Sequence, residues 1–231
     1  MNQVNDLLAE GLLSLCRGDP AIENIIAPRR EEIIALLAAY LAEIMTHNPI
    51  LSLVGTNDPK ELVIRHALDS LAPLGIISRK CDISRIADVG SGAGLPGIPL
   101  AIALPDSEFT LIERKGRRSG FLRNTLKALM ATNNRLSNVS VEEQEMEKVK
   151  PHRFTMVTFR AFKPMDPKIL KKLFRLCTEG GVLAAYKGRQ SKVEAEMAEL
   201  EQQMPNQTIR WELIPCPLPM LDEERHLLFI S

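Results

Sequence analysis

Apolar residues in the first quarter of the chain recur at helical spacing. Leu7, Leu8, Leu12, Leu13 and Leu15 form a first stripe, interrupted at Gly18-Asp19-Pro20. Ile33, Leu36, Leu37, Tyr40, Leu41 and Ile44 form a second, which predicts a helix over residues 29–45 ended by His47-Asn48-Pro49. Asp58-Pro59 reads as an N-cap followed by a proline at the first helical position, opening a third helix with Leu62, Val63, His66 and Leu71 that stops near Pro73-Leu74-Gly75. From residue 83 the pattern changes to short apolar runs alternating with helical stretches. Strands are predicted over 83–89, 109–112, 139–141, 154–159 and 182–186. Helices are predicted over 98–104, 115–130, 167–177 and 191–203, and two final strands over 209–214 and 226–230. Alternation of this kind implies a doubly wound, Rossmann-like α/β sheet, and two last strands with no full helix between them imply a terminal antiparallel hairpin. The expected organisation is an N-terminal helical segment (1–80) followed by one α/β domain (81–231).

Composition narrows the class. The chain has 231 residues, 45% hydrophobic and 25% charged, enough for a sizeable core and unlike a disordered chain. Its net charge is zero, so any nucleic-acid contact must come from local basic patches. Cys16, Cys81, Cys177 and Cys216 are too far apart for a CxxC pair, so free thiols in a reducing compartment and no metal site are expected. The longest apolar stretch, 33–42, falls short of the roughly 20 residues a spanning helix needs, and no leader pattern is seen at the N-terminus. The expectation is a soluble, cytoplasmic protein, acting as a monomer and not at a membrane.

The chemistry begins at Asp88-Val89-Gly90-Ser91-Gly92-Ala93-Gly94-Leu95-Pro96-Gly97, which follows a strand and opens a helix. Glycines there let the chain turn tightly and let a ligand approach bare backbone. Gly92, Gly94 and Gly97 satisfy the GxGxxG of dinucleotide sites. Asp88 before Gly90 gives DxGxGxG, the pattern of S-adenosyl-L-methionine enzymes. A carboxylate is unfavourable beside a pyrophosphate and favourable beside a sulfonium and an ammonium, so Asp88 points to the methyl donor. Glu113, ending the second strand, can accept from ribose hydroxyls in either case.

The segment 88–100 resembles the signature of the RsmG (glucose-inhibited division protein B) family of small-subunit ribosomal RNA guanine-N7 methyltransferases. Asp58-Pro59, Arg65-His66 and Leu68-Asp69-Ser70-Leu71 are similar to its upstream stretch. Gly116-Arg117-Arg118 with Phe121-Leu122-Arg123, then Arg160-Ala161, then Glu224-Arg225-His226 match in order, so the likeness covers about residues 45–231. Ser52-Leu53-Val54 departs from the family's Asn-Leu-Thr. The resemblance implies a class I methyltransferase that uses S-adenosyl-L-methionine on one guanine of 16S ribosomal RNA, free or in a ribosomal particle. It implies cofactor contacts at Gly90, Leu95, Met146, Glu147 and Arg160.

Guanine N7 already carries a free lone pair, so its methylation needs positioning and exclusion of water rather than a general base. The fourth strand ends in Thr158-Phe159-Arg160, not in the (D/N)PPY of exocyclic-amine methyltransferases, and no cysteine is expected to be placed for attack on a pyrimidine. Arg160, at the carboxyl end of that strand, can fork onto a phosphate, a guanine edge or the cofactor's carboxylate, and is the expected catalytic residue. Expected RNA contacts are Arg65, His66, Arg117, Arg118, Arg123, Lys187, Arg225 and His226, with further basic clusters at Arg114, Lys115 and Lys127 and at Lys168, Lys171, Lys172 and Arg175. Competing readings are a methyltransferase of the same fold acting on another RNA, a protein or a small molecule, an NAD-dependent oxidoreductase, for which too little chain remains, and a non-enzymatic RNA-binding module.

Overall fold

The structure, a computed structural model, describes residues 2–132, 136–161 and 164–231. Its centre is a seven-stranded sheet ordered β3-β2-β1-β4-β5-β7-β6. Strands β1 (Arg85–Val89), β2 (Glu108–Ile112), β3 (Val139–Glu142), β4 (Phe154–Arg160) and β5 (Cys177–Lys187) run parallel, and β7 (His226–Ile230) is antiparallel between β5 and β6 (Trp211–Pro215). The order reverses between β1 and β4, which opens a crevice at their carboxyl ends.

Both sheet faces are buried, so the central strands read as apolar runs. Ile86, Phe109, Leu111 and Met156 face one cluster, and Ala87, Ile112, Val157 and Leu183 face the other. Helices α7 (Gly97–Ala103) and α8 (Gly116–Thr132) pack on the first face, and α9 (Pro167–Phe174) and α10 (Gln190–Gln203) on the second. The first cluster also takes in Leu8, Leu12, Ile26, Leu37, Tyr40 and Leu68, so the N-terminal helices and the sheet share one core across the expected boundary at residue 80.

These helices differ from expectation in instructive ways. Gly18-Asp19-Pro20 is a restart, not a loop. Helix α1 (Asn2–Gly18) gives way at once to α2 (Pro20–Ile26), whose N-cap Asp19 accepts from Ala21 N–H at 2.9 Å. Helix α3 (Arg30–Leu51) runs through Pro49 and ends one turn later, at left-handed Ser52. In a last turn a proline removes one backbone bond without stopping the chain. Pro20–Leu51 is long and apolar enough to cross a membrane by length and composition. Its large apolar side chains Ile33, Ile34, Leu36, Leu37, Tyr40, Leu41 and Ile44 are core.

After α4 (Pro59–Leu62, N-capped by Asp58 as expected) the helix widens into a π-helical turn, Val63–Leu68, before α5 (Asp69–Leu71) and α6 (Leu74–Lys80). Asp69 N–H reaches Ile64 C=O, five residues back. Arg65, His66 and Asp69 project from this stretch. At the far side, α9 stops at Phe174 and β5 begins at Cys177. Glu179-Gly180-Gly181 therefore lies inside a strand, where the register with β4 shifts and Gly180 takes a positive φ of 74°.

Candidate active site: two cavities that meet at Ala161

The glycine loop leaves β1 with its backbone turned left-handed at Gly90 (φ 73°) and Gly92 (φ 58°). Gly90 N–H is held by Ile112 C=O at 2.8 Å, and the phenol of Tyr40 in α3 donates to Ala93 C=O at 2.9 Å, so the N-terminal helices brace the loop. Glu113 closes the other side. Its Oε2 accepts from Gly92 N–H at 3.0 Å and its Oε1 from Lys115 N–H at 2.8 Å. Between them runs a trough of about 500 Å³, lined by Gly90, Glu113, Arg118, Met146 and Glu147 among others. Arg175 Nη2 donates to Met146 C=O (2.7 Å) and Glu147 C=O (3.0 Å) and fixes that wall.

Four residues expected at the cofactor do not line this trough. Asp88 is buried beneath the loop. Its Oδ2 accepts from Gly97 N–H at 3.1 Å and its Oδ1 has no partner. Burial pushes its carboxyl up to about 7, so the full negative charge invoked from sequence is not held there at neutral pH. Leu95 points into the core. Gly94 is required by packing, since a side chain there would strike Ile98 and Leu122. Gly92 acts through its N–H on Glu113 rather than as trough wall.

Arg160 is the fifth expected contact absent from the trough wall. It does not line the trough but enters a second cavity of about 550 Å³, where its side chain is 17% exposed. Its Nη1 donates to Asp69 Oδ2 at 3.0 Å and to Arg65 C=O at 3.3 Å, and its Nη2 to His66 Nδ1 at 3.2 Å. A guanidinium can only donate, so Nδ1 accepts and the ring proton sits on Nε2. Asp69 Oδ1 accepts from Arg225 Nε at 3.1 Å, so one carboxylate joins β4 to the start of β7. Arg65, His66, Lys187, Arg225 and His226, all expected RNA contacts, line this same cavity, and Ala161, at a positive φ of 51°, borders both.

The expected basic residues are not equally free. Lys187 is held by both oxygens of Glu196 at 2.7–2.8 Å. His226 Nδ1 donates to Gly188 C=O at 2.7 Å and the residue is buried. Arg123 pairs with Glu143, and Arg118 donates to Ser52 C=O while lining the trough, not the second cavity. Arg117 is exposed on α8. Arg65 and Arg225 share the exposed carboxylate of Glu223 at 2.7–3.1 Å. Cys216, unforeseen, lines the second cavity, but burial pushes its thiol up to about 12 and leaves it protonated. The four cysteines are free, as expected, and the described residues hold no cluster suited to a metal.

Sequence reasoning overlooked Asp69, Tyr40 and Glu223. Asp69 had a signal: it lies four and three residues after Arg65 and His66 on a helix, hence beside them. Tyr40 and Glu223 join elements far apart in sequence and had none.

Burial, reinforced by Arg160 and then Arg65, depresses the His66 imidazole from its usual 6.5 to about 4. The unfolded chain therefore takes up a proton that the fold does not, and stability falls as pH drops from 6.5 towards 4, by up to roughly 3 kcal/mol. Asp88 works in the opposite sense. Its raised carboxyl keeps its proton in the fold and adds stability as pH falls below 7. The expected signature is thus a difference: urea titrations from pH 7 to 4 should show a shallower acid loss for His66→Gln than for the parent. Equal slopes would mean that His66 titrates freely.

Comparison with known proteins decides the family. A model of the family described as "rRNA small subunit methyltransferase G" matches residues 33–219. The chain belongs to the rRNA small subunit methyltransferase G family. Relatives named "Ribosomal RNA small subunit methyltransferase G" include one from Treponema pallidum (strain Nichols), 35% identical over 97% of this chain and 92% of its own. Another, from Xylella fastidiosa (strain 9a5c), is 35% identical over 84% of each. Solved structures sharing the fold include a predicted O-methyltransferase from Agrobacterium tumefaciens (22% identity, 71% of this chain and 79% of that one, TM-score 0.53). A SAM-dependent methyltransferase from Aquifex aeolicus matches at 17% identity (75% and 93%, TM-score 0.52). They confirm the expected class I methyltransferase sheet. The family match contains Asp69, Glu113, Met146 and Arg160 but stops short of Glu223, Arg225 and His226.

Proposed function

We propose that this chain transfers a methyl group from S-adenosyl-L-methionine to N7 of a guanine in 16S small-subunit ribosomal RNA. The observation that carries the reading is the pair of cavities meeting at Ala161, one with an acid beside the glycine loop and one lined by basic side chains, in a member of this family. The trough residues fit the cofactor. Gly90 offers bare backbone, Met146 an apolar surface for the adenine, and the Glu113 oxygens, each accepting one backbone N–H, retain capacity for ribose hydroxyls. When bound, S-adenosyl-L-methionine supplies an electrophilic methyl on a sulfonium.

The chain's own residues hold and orient. Arg160, fixed by Asp69, His66 and the Arg65 carbonyl, stands where it can hold a base edge or a phosphate beside Ala161. None of the cavity's groups is needed as a base: His66 Nδ1 is taken, and N7 brings its own lone pair. Exposed Arg114 and Lys115, just before α8, and Arg117 and Lys127 on it offer phosphate contacts despite zero net charge. The enzyme acts in the cytoplasm as a monomer, on RNA free or in a ribosomal particle. The test is incubation of the purified protein with methyl-labelled S-adenosyl-L-methionine and unmodified small-subunit ribosomal RNA, followed by nucleoside analysis. Label in 7-methylguanosine is expected, and label in any other nucleoside or none overturns the reading.

Glu223 competes with RNA for Arg65 and Arg225. Glu223→Gln should therefore tighten RNA binding by about two- to fivefold at low salt and steepen its salt dependence. Unchanged affinity and slope in filter-binding titrations would remove both arginines from the phosphate-contacting surface.

A further inference from the structure

Among the described residues lining the second cavity, Asp69 is the one carboxylate in a wall of donors that includes Arg65, Arg160 and Arg225. It is buried, its side chain 9% exposed, and each oxygen accepts one hydrogen bond: Oδ2 from Arg160, Oδ1 from Arg225. A carboxylate oxygen accepts two, so Asp69 keeps one acceptor position on each oxygen, side by side and held in place by Arg160 of β4 and by Arg225 just before β7. Of the RNA bases, guanine alone presents two adjacent donors on its Watson–Crick edge, N1–H and the N2 amino group, while its other edge carries only acceptors, O6 and N7. Adenine puts a lone pair at N1, which a buried carboxylate repels.

We infer that Asp69 is the residue that selects guanine, its carboxylate accepting from N1–H and the N2 amino group of the base lodged in the second cavity. The inference rests on the proposed guanine-N7 activity and adds the residue that discriminates. An enzyme that handles a base singly reads it by hydrogen bonds to this edge, which is open only when the base is unpaired. Asp69 then has two duties, positioning the arginines and reading the base. They separate experimentally, because loss of positioning slows every substrate alike whereas loss of reading changes the ratio between substrates.

The experiment measures single-turnover methyl transfer by the full-length protein to a ribosomal RNA fragment carrying guanosine or inosine at the methylated position. Inosine keeps N7, O6 and N1–H and lacks only the N2 amino group. The parent should methylate the guanosine fragment at least about tenfold faster than the inosine fragment. Asp69→Asn should be slower on both, with the ratio near one. Equal parent rates overturn the inference without any variant, and so does a full parental ratio in a folded Asp69→Asn protein, which would leave Asp69 with its positioning duty alone. If thermal melting shows that the Asn variant does not fold, Asp69→Glu, which keeps the charge and displaces it, is read for the same fall in ratio. No transfer by the parent to the guanosine fragment would instead remove the proposed activity itself.

Discussion

Arg160→Ala should slow methyl transfer about ten- to a hundredfold at saturating S-adenosyl-L-methionine while changing cofactor affinity by no more than about threefold. A charge-assisted contact is worth about 1.5–3 kcal/mol, which is that range of rates if the contact tightens in the transition state. The split follows from where the side chain lies. Arg160 lines the second cavity and not the trough, so its loss strikes the substrate side. The truncation also leaves Asp69 with Arg225 as its remaining partner and His66 Nδ1 without its donor. Arg160→Lys should recover only part of the rate, because an ammonium cannot serve Asp69, the Arg65 carbonyl and His66 with one planar fork. Single-turnover kinetics with calorimetry of cofactor binding checks this. A folded Ala variant with the parent's rate would make Arg160 structural, and a loss of affinity as large as the loss of rate would return it to the cofactor.

Gly90→Val should weaken S-adenosyl-L-methionine binding by at least about a hundredfold. Gly90 stands at a φ of 73°, and a β-branched residue held in that region costs of order 1–3 kcal/mol. Gly90 also lines the trough, so the new methyl groups enter the space the cofactor needs. The strain should lower the melting temperature by several degrees without unfolding the sheet, since β1 is paired on both sides. Calorimetry of cofactor binding beside a thermal melt is the measurement. Near-parental affinity in the folded variant would move the cofactor away from this loop.

The sheet was legible because its strands are short apolar runs at regular intervals, and the loop was legible because few sequences place Asp88 and four glycines in ten residues. What a residue does once placed was harder to read. Asp88 looked like a free charge on the page. Its burial, invisible in a linear string, makes it a brace for Gly97 with its carboxyl pushed up to about 7. Lys187 looked like a phosphate contact until Glu196, on the next helix, claimed it. Arg160 was assigned its strand end correctly, but its partner Asp69 lies 91 positions away and left no sign in the pattern around it. Sequence pattern reports periodicity well and reports partners only when they are close along the chain.

The π-helical turn at Val63–Leu68 holds one residue more than an α-helix would over the same rise. Arg65, His66 and Asp69 reach one cavity from this stretch, and the surplus residue sets their angular phase within it. Chain length at this point is therefore itself functional information. A single-residue deletion there would let the backbone relax into ordinary helix and change the angular spacing of Arg65, His66 and Asp69, together with that of Leu68 among them. A lineage could exchange several of these amino acids one at a time and keep its pocket, yet lose it by dropping one codon.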